Sequence, residues 1–66
     1  MRIRLNGQER EVDEGTTIAQ LIDSITKDRS RVAVERNRAI APRPTWDEAV
    51  VAEGDEIEVV TLVGGG

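Results

Sequence analysis

The four residues Val63-Gly64-Gly65-Gly66 are the stretch whose composition points to chemistry. Three successive glycines have no side chains to pack, and glycine weakens a strand and favours an open ensemble. They form a thin arm that carries the α-carboxylate of Gly66. Such an arm can pass down a narrow channel into another protein's active site, where a β-carbon would clash. The plain alternative is a linker remnant or a frayed end, since termini are often disordered.

The rest of the chain contains little else that could react. It has no Cys, so it offers no disulfide framework, thiolate nucleophile or zinc-thiolate site. It has no His, the commonest general base and metal ligand. A net charge of −4 argues against a nucleic-acid partner, which needs a basic face, and permits docking onto a basic one. Trp46 is the only aromatic residue, so base stacking is not available and the core must be aliphatic. Met1-Arg2-Ile3-Arg4-Leu5 alternates charged with apolar side chains and is no signal peptide. No apolar run approaches the ~20 residues of a membrane span. Residues 1–66 are therefore expected to form one cytoplasmic domain with no membrane partner, its tail beginning at Val63.

The elements that must position the tail follow from periodicity. Residues 1–5 alternate with period two and predict a strand with Met1, Ile3 and Leu5 inward. Asn6-Gly7 predicts a type I′ hairpin turn. That turn sets Leu5 opposite Gln8, Arg4 opposite Glu9, Ile3 opposite Arg10, Arg2 opposite Glu11 and Met1 opposite Val12. Arg4–Glu9 and Arg2–Glu11 are expected to pair on the outer face. Gly15 breaks the second strand. Thr17 to Gln20 has the pattern of a capping box, and Ile18, Leu21, Ile22 and Ile25 then follow with helical spacing. The helix is expected to fade near residues 26–28.

Residues 31–35 predict a third strand with Val32 and Val34 inward, and Asn37 a turn. Residues 39–41 predict a short edge strand stopped by Pro42 and Pro44. Thr45 to Glu48 repeats the capping-box pattern and predicts a single helical turn, with Trp46 as a lid on the core edge. Glu53-Gly54-Asp55 predicts a turn, and residues 56–63 the last strand. On that strand Ile57 and Val59 should meet the helix. Glu58, Val60 and Leu62 should lie on the opposite face with Arg2 and Arg4. Val60 and Leu62, beside the tail, would make a docking patch with Glu58. The first and last strands are expected to be central neighbours, in an α+β fold with one helix across one face of a mixed sheet.

This order, ending in glycines, resembles the ubiquitin-like β-grasp fold. Within it the chain resembles the ThiS family of sulfur carriers of thiamin thiazole biosynthesis. The likeness spans the whole chain. It rests on Leu5-Asn6-Gly7, Thr17-Ile18-Ala19-Gln20-Leu21, Val32-Ala33-Val34-Glu35-Arg36-Asn37, Pro42-Arg43, Trp46, Gly54-Asp55-Glu56-Ile57-Glu58 and Val63-Gly64-Gly65-Gly66. The third glycine is a departure, because the family often ends at the second.

The resemblance implies that the protein is a co-substrate of partner enzymes and not itself an enzyme. A ThiF-like enzyme would adenylate the Gly66 carboxylate with ATP. Sulfur from a cysteine-derived persulfide would convert it to a thiocarboxylate, and a ThiG-type thiazole synthase would receive that sulfur. Gly66 would carry the sulfur, and Gly64 and Gly65 would give reach. The chain would bind no cofactor of its own. Other expectations share the fold: the small subunit of molybdopterin synthase, a protein-conjugated modifier, or an interaction module whose glycines do no chemistry. Molybdopterin synthase small subunits are usually longer and richer in Phe, which this chain lacks.

Overall fold

The computed structural model describes residues 1–62. Asn6 and Gly7 both take positive φ, 51° and 81°, as the tight turn requires. They join β1 (Arg2–Leu5) to β2 (Gln8–Glu11) in the expected register, from Leu5 opposite Gln8 to Arg2 opposite Glu11. Met1 and Val12 extend the ribbon by exchanging bonds of 2.8 and 2.9 Å. Of the two expected outer pairs, Arg2–Glu11 forms, whereas Glu9 meets Arg2 and not Arg4. Arg2 reaches both Glu11, at 3.4 Å, and Glu9, at 3.8 Å. In a twisted two-stranded ribbon a long side chain reaches its diagonal neighbour as readily as its opposite one.

Thr17 caps α1 (Ile18–Asp23) reciprocally. Its hydroxyl accepts the Gln20 N–H at 3.1 Å, and the Gln20 amide oxygen accepts the Thr17 N–H at 3.0 Å. Ile18, Leu21 and Ile22 are buried. The helix ends earlier than its spacing predicts. Ser24 donates its hydroxyl to the Leu21 carbonyl at 2.6 Å, and the Ile25 N–H turns to Ile22. That tightens the last turn into the i→i+3 form. Ile25 thereby leaves the buried stripe and is 45% exposed.

A short 3₁₀ turn (Arg29–Arg31) leads into β3 (Val32–Arg36), with Val32 and Val34 inward. Asn37 and Arg38, at φ 52° and 70°, turn the chain into the edge strand β4 (Ala39–Ile40). The region after Pro42 differs in part from expectation. Thr45 ends a 3₁₀ turn (Arg43–Thr45), and its carbonyl accepts the Glu48 and Ala49 N–H groups at 3.1 and 2.9 Å, the single helical turn expected there; its hydroxyl forms no cap and donates instead to the Pro42 carbonyl at 2.6 Å. Trp46 is not a lid. It is among the largest fully buried side chains, at 1% exposure, and its indole N–H donates to the Ala41 carbonyl at 2.8 Å.

The last strand, β5 (Glu56–Thr61), completes a five-stranded sheet in the order β2-β1-β5-β3-β4. It runs parallel to β1 and antiparallel to β3, so the first and last strands are neighbours inside the sheet. Ile3, Leu5, Val32, Val34 and Ile57 face α1, and with Ile18, Leu21, Ile22, Val51 and Trp46 they form the core, which is aliphatic except for the buried Trp46 indole and so not wholly aliphatic as expected. This is the ubiquitin-like β-grasp arrangement, with one sheet face covered and the other open. No helix among the described residues is long and apolar enough to cross a membrane.

Candidate functional site

β5 positions everything that sequence reasoning singled out, and three Asx side chains hold it. At its entry Asp55 is 7% exposed. Its carboxylate accepts the Arg36 Nε–H at 2.9 Å, the Asn37 Nδ2–H at 3.0 Å and the Ala52 N–H at 2.8 Å. Arg36 Nη2 comes within 2.7 Å of it as well. Burial pushes this carboxyl up. The bonds from Ala52 and Asn37 and the positive charge of Arg36 more than offset that, and hold it below the usual carboxylate range. Asn37 then accepts the Glu56 N–H through Oδ1 at 2.9 Å. At mid-strand Asn6 accepts the Val59 N–H at 2.8 Å. Both hairpin turns thus bond directly to the strand that leads to the tail.

The strand alternates as expected. Ile57 is buried against the core. Glu56, Glu58, Val60 and Leu62 lie on the open face, with Val60 53% and Leu62 44% exposed. Pairing with β3 sets Ala33 opposite Val60 and Glu35 opposite Glu58. Across the other edge Arg4 stands opposite Glu56, so Glu56 and not Glu58 is its neighbour. Ile40 of β4, 68% exposed, lies opposite Glu35. Leu62 still donates its N–H to the Arg31 carbonyl at 2.7 Å, which ties the last described residue to the sheet. Gly64, Gly65 and Gly66 lie outside the described residues.

The open face therefore has two parts. Val60, Leu62 and Ala33 make an apolar end toward residue 63. Glu35, Glu56 and Glu58, with Arg38, line a hollow of about 250 Å³ at its centre. Sequence reasoning found Glu58, Val60 and Leu62 from the period of β5 alone. It missed Glu35, Glu56, Arg38 and Ile40, because placing them needed the β3–β5 and β3–β4 registers. It also missed Asp55, whose signal was a Gly-Asp turn in a chain with Asn at two other turns. Among the described residues no three acidic, His or Cys side chains are grouped to hold a metal ion. The arrangement suits docking: an open, half-apolar face that leads to the end of a central strand.

Comparison with known proteins gives four findings. The model of the ThiS family matches residues 3–66. The chain is 42% identical over 66 residues to a thiazole synthase of Magnetococcus marinus, all of this chain matching and 20% of that protein. It thus spans about a fifth of the length of that relative. It is 35% identical over 65 residues to the sulfur carrier protein ThiS of Bacillus subtilis, covering 97% of this chain and 98% of that one. Among solved structures it is similar to the thiamine biosynthesis protein ThiS of Geobacter metallireducens, with a TM-score of 0.82 and 29% identity over the full length of both chains.

Proposed function

This chain belongs to the ThiS family, and from that premise we propose that it is a sulfur carrier protein of thiamine biosynthesis, acted on by partner enzymes, whose reacting group is the Gly66 α-carboxylate. The observation that carries the reading is the family match, which runs from Ile3 to Gly66 and so takes in the glycines as well as the folded body.

A carboxylate is a poor electrophile, because its leaving group would be an oxide. A carboxylate oxygen of Gly66 therefore attacks the α-phosphorus of ATP on a ThiF-like enzyme, and pyrophosphate leaves. The acyl-adenylate now has AMP as a good leaving group. The terminal sulfur of a cysteine-derived persulfide attacks the acyl carbon and expels AMP. A thiol then cleaves the S–S bond and takes the departing sulfur into a disulfide. A thiocarboxylate remains, which is ionised and nucleophilic at neutral pH, and it transfers its sulfur on a thiazole synthase. This protein supplies the acyl group and its delivery: Gly64 and Gly65 extend it, and the face bearing Glu58, Val60 and Leu62 docks. ATP and all catalysis belong to the partners.

The test is an intact-mass measurement after incubation with the activating enzyme, ATP and a sulfur donor. The expected change is the replacement of one oxygen by one sulfur. No change over the time in which a known carrier is converted would refute the reading. The ThiS family match favours it over the small subunit of molybdopterin synthase.

A further inference from the structure

The open face carries a charge arrangement that its own fold does not explain. Glu35 and Glu58 stand directly opposite in the β3–β5 ladder, and Glu56 shares their face. Like charges directly opposite weaken a sheet. Many of the other carboxylates are answered: Glu9 and Glu11 meet Arg2, Asp23 and Asp47 share Arg29, Asp28 meets Arg31, and Asp55 meets Arg36. Among the described residues none of the three glutamates is in a salt bridge, although Arg38 lines the same hollow and Arg4 stands opposite Glu56. In the free protein water screens them cheaply. A partner that covers the face removes that water, and unpaired charges are costly to desolvate. Whatever docks on Val60 and Leu62 must therefore also bring positive charge.

We infer that Glu35, Glu56 and Glu58 form the electrostatic half of a docking site for a thiazole synthase, whose contacting surface is basic around an apolar seat for Val60 and Leu62. The inference rests on the sulfur-carrier reading. The occupant is chosen from the comparisons. The chain is 42% identical to a segment of a thiazole synthase and 35% identical to a separate carrier. Its sequence stands nearer to a form held beside a thiazole synthase in one polypeptide. Charge steers such an encounter and fixes its register, so binding should weaken as salt screens it.

The experiment measures affinity by calorimetry between the 66-residue protein and the thiazole synthase of its own source. Glu35→Gln, Glu56→Gln and Glu58→Gln are combined in one variant that keeps shape and removes charge. At about 0.05 M salt its affinity should fall about tenfold, and the difference from wild type should shrink at about 0.5 M. Its Tm should be unchanged or higher, because a repulsion is gone. Asp13→Asn, Glu14→Gln and Glu48→Gln, three exposed acids elsewhere, make the same change in net charge and should alter affinity less than about twofold.

Wild-type affinity and salt dependence in the first variant, or an equal loss in the second, would overturn the inference. So would a loss confined to the activating enzyme, which would make that enzyme the occupant. The mass assay on the same wild-type sample separates the two readings. Thiocarboxylate formation without synthase binding overturns the docking inference alone; failure of both overturns the carrier reading too.

Discussion

Asp55 is the one charged side chain taken into the interior among the described residues, and both its oxygens are occupied by donors. Asp55→Asn keeps the shape but turns an N–H₂ toward groups that are themselves donors. One of them is orphaned, and the Arg36 charge loses its partner. Hydrogen bonds to charged groups contribute about 1.5–3 kcal/mol. Arg36 keeps some contact with water, its side chain being 29% exposed, so the expected cost is about 2 kcal/mol, or roughly 10 °C in Tm. The sign of the pH dependence follows from the lowered carboxyl. A group whose folded pKa lies below its unfolded one stabilises fully above the unfolded value and loses that contribution as pH falls through the folded one. Thermal melts of both proteins should therefore converge as pH drops from about 5 to about 2. A constant gap would mean that the Asp55 charge is not what matters. Val60 is the opposite case, half in water and opposite only Ala33. Val60→Asp should lower stability by less than about 1 kcal/mol, the span of strand propensities. It should strongly weaken binding to the activating enzyme and the synthase. Unfolding would make Val60 core, and normal binding of a folded variant would move the docking surface elsewhere.

At the scale of elements, α1 is only six residues long, too short to persist without its cap and its buried stripe. Thr17→Ala removes the acceptor of the Gln20 N–H and should cost about 1 kcal/mol. A chemical-denaturation midpoint that does not move would show that tertiary packing alone holds the first turn. This cap was legible in sequence because its two hydrogen bonds are local, three residues apart. The first hairpin was legible for the same reason, since Asn6-Gly7 dictates both turn and register. Where the sequence misled, a local pattern met a non-local competitor. Ile25 has helical spacing, but Ser24 and the turn toward Asp28 end the helix before it. Thr45 to Glu48 makes its single turn, but the Thr45 hydroxyl is spent on the Pro42 carbonyl and forms no cap, and Trp46 is drawn into the core with its N–H on Ala41. The apolar end of the open face could be read from the period of β5. Its acidic centre could not, because Glu35 and Glu58 meet only through a register between distant strands.

For the molecule as a whole, the question is how affinity divides between the body and the glycines. Fixing one residue's backbone costs about 1–2 kcal/mol, with glycine at the high end. Holding three glycines in a partner's channel therefore costs on the order of 3–6 kcal/mol. Each hydrogen bond formed there contributes only about 0.5–1.5 kcal/mol net. On the proposed function the glycines would contribute reactivity and little affinity, and the open face would supply the binding. Among the described residues, every buried member of the core cluster precedes Glu58. Deleting Gly65 and Gly66 should leave the Tm unchanged. It should leave affinity for the synthase within about tenfold of wild type, because the lost bonds and the entropy no longer spent nearly cancel. Thiocarboxylate formation should vanish, because the shortened carboxylate no longer reaches the adenylating site. Calorimetry and intact mass on the same truncated sample read both quantities. Loss of binding together with modification would place the affinity in the glycines and refute this division. Normal modification of the truncated chain would remove Gly66 as the reacting residue.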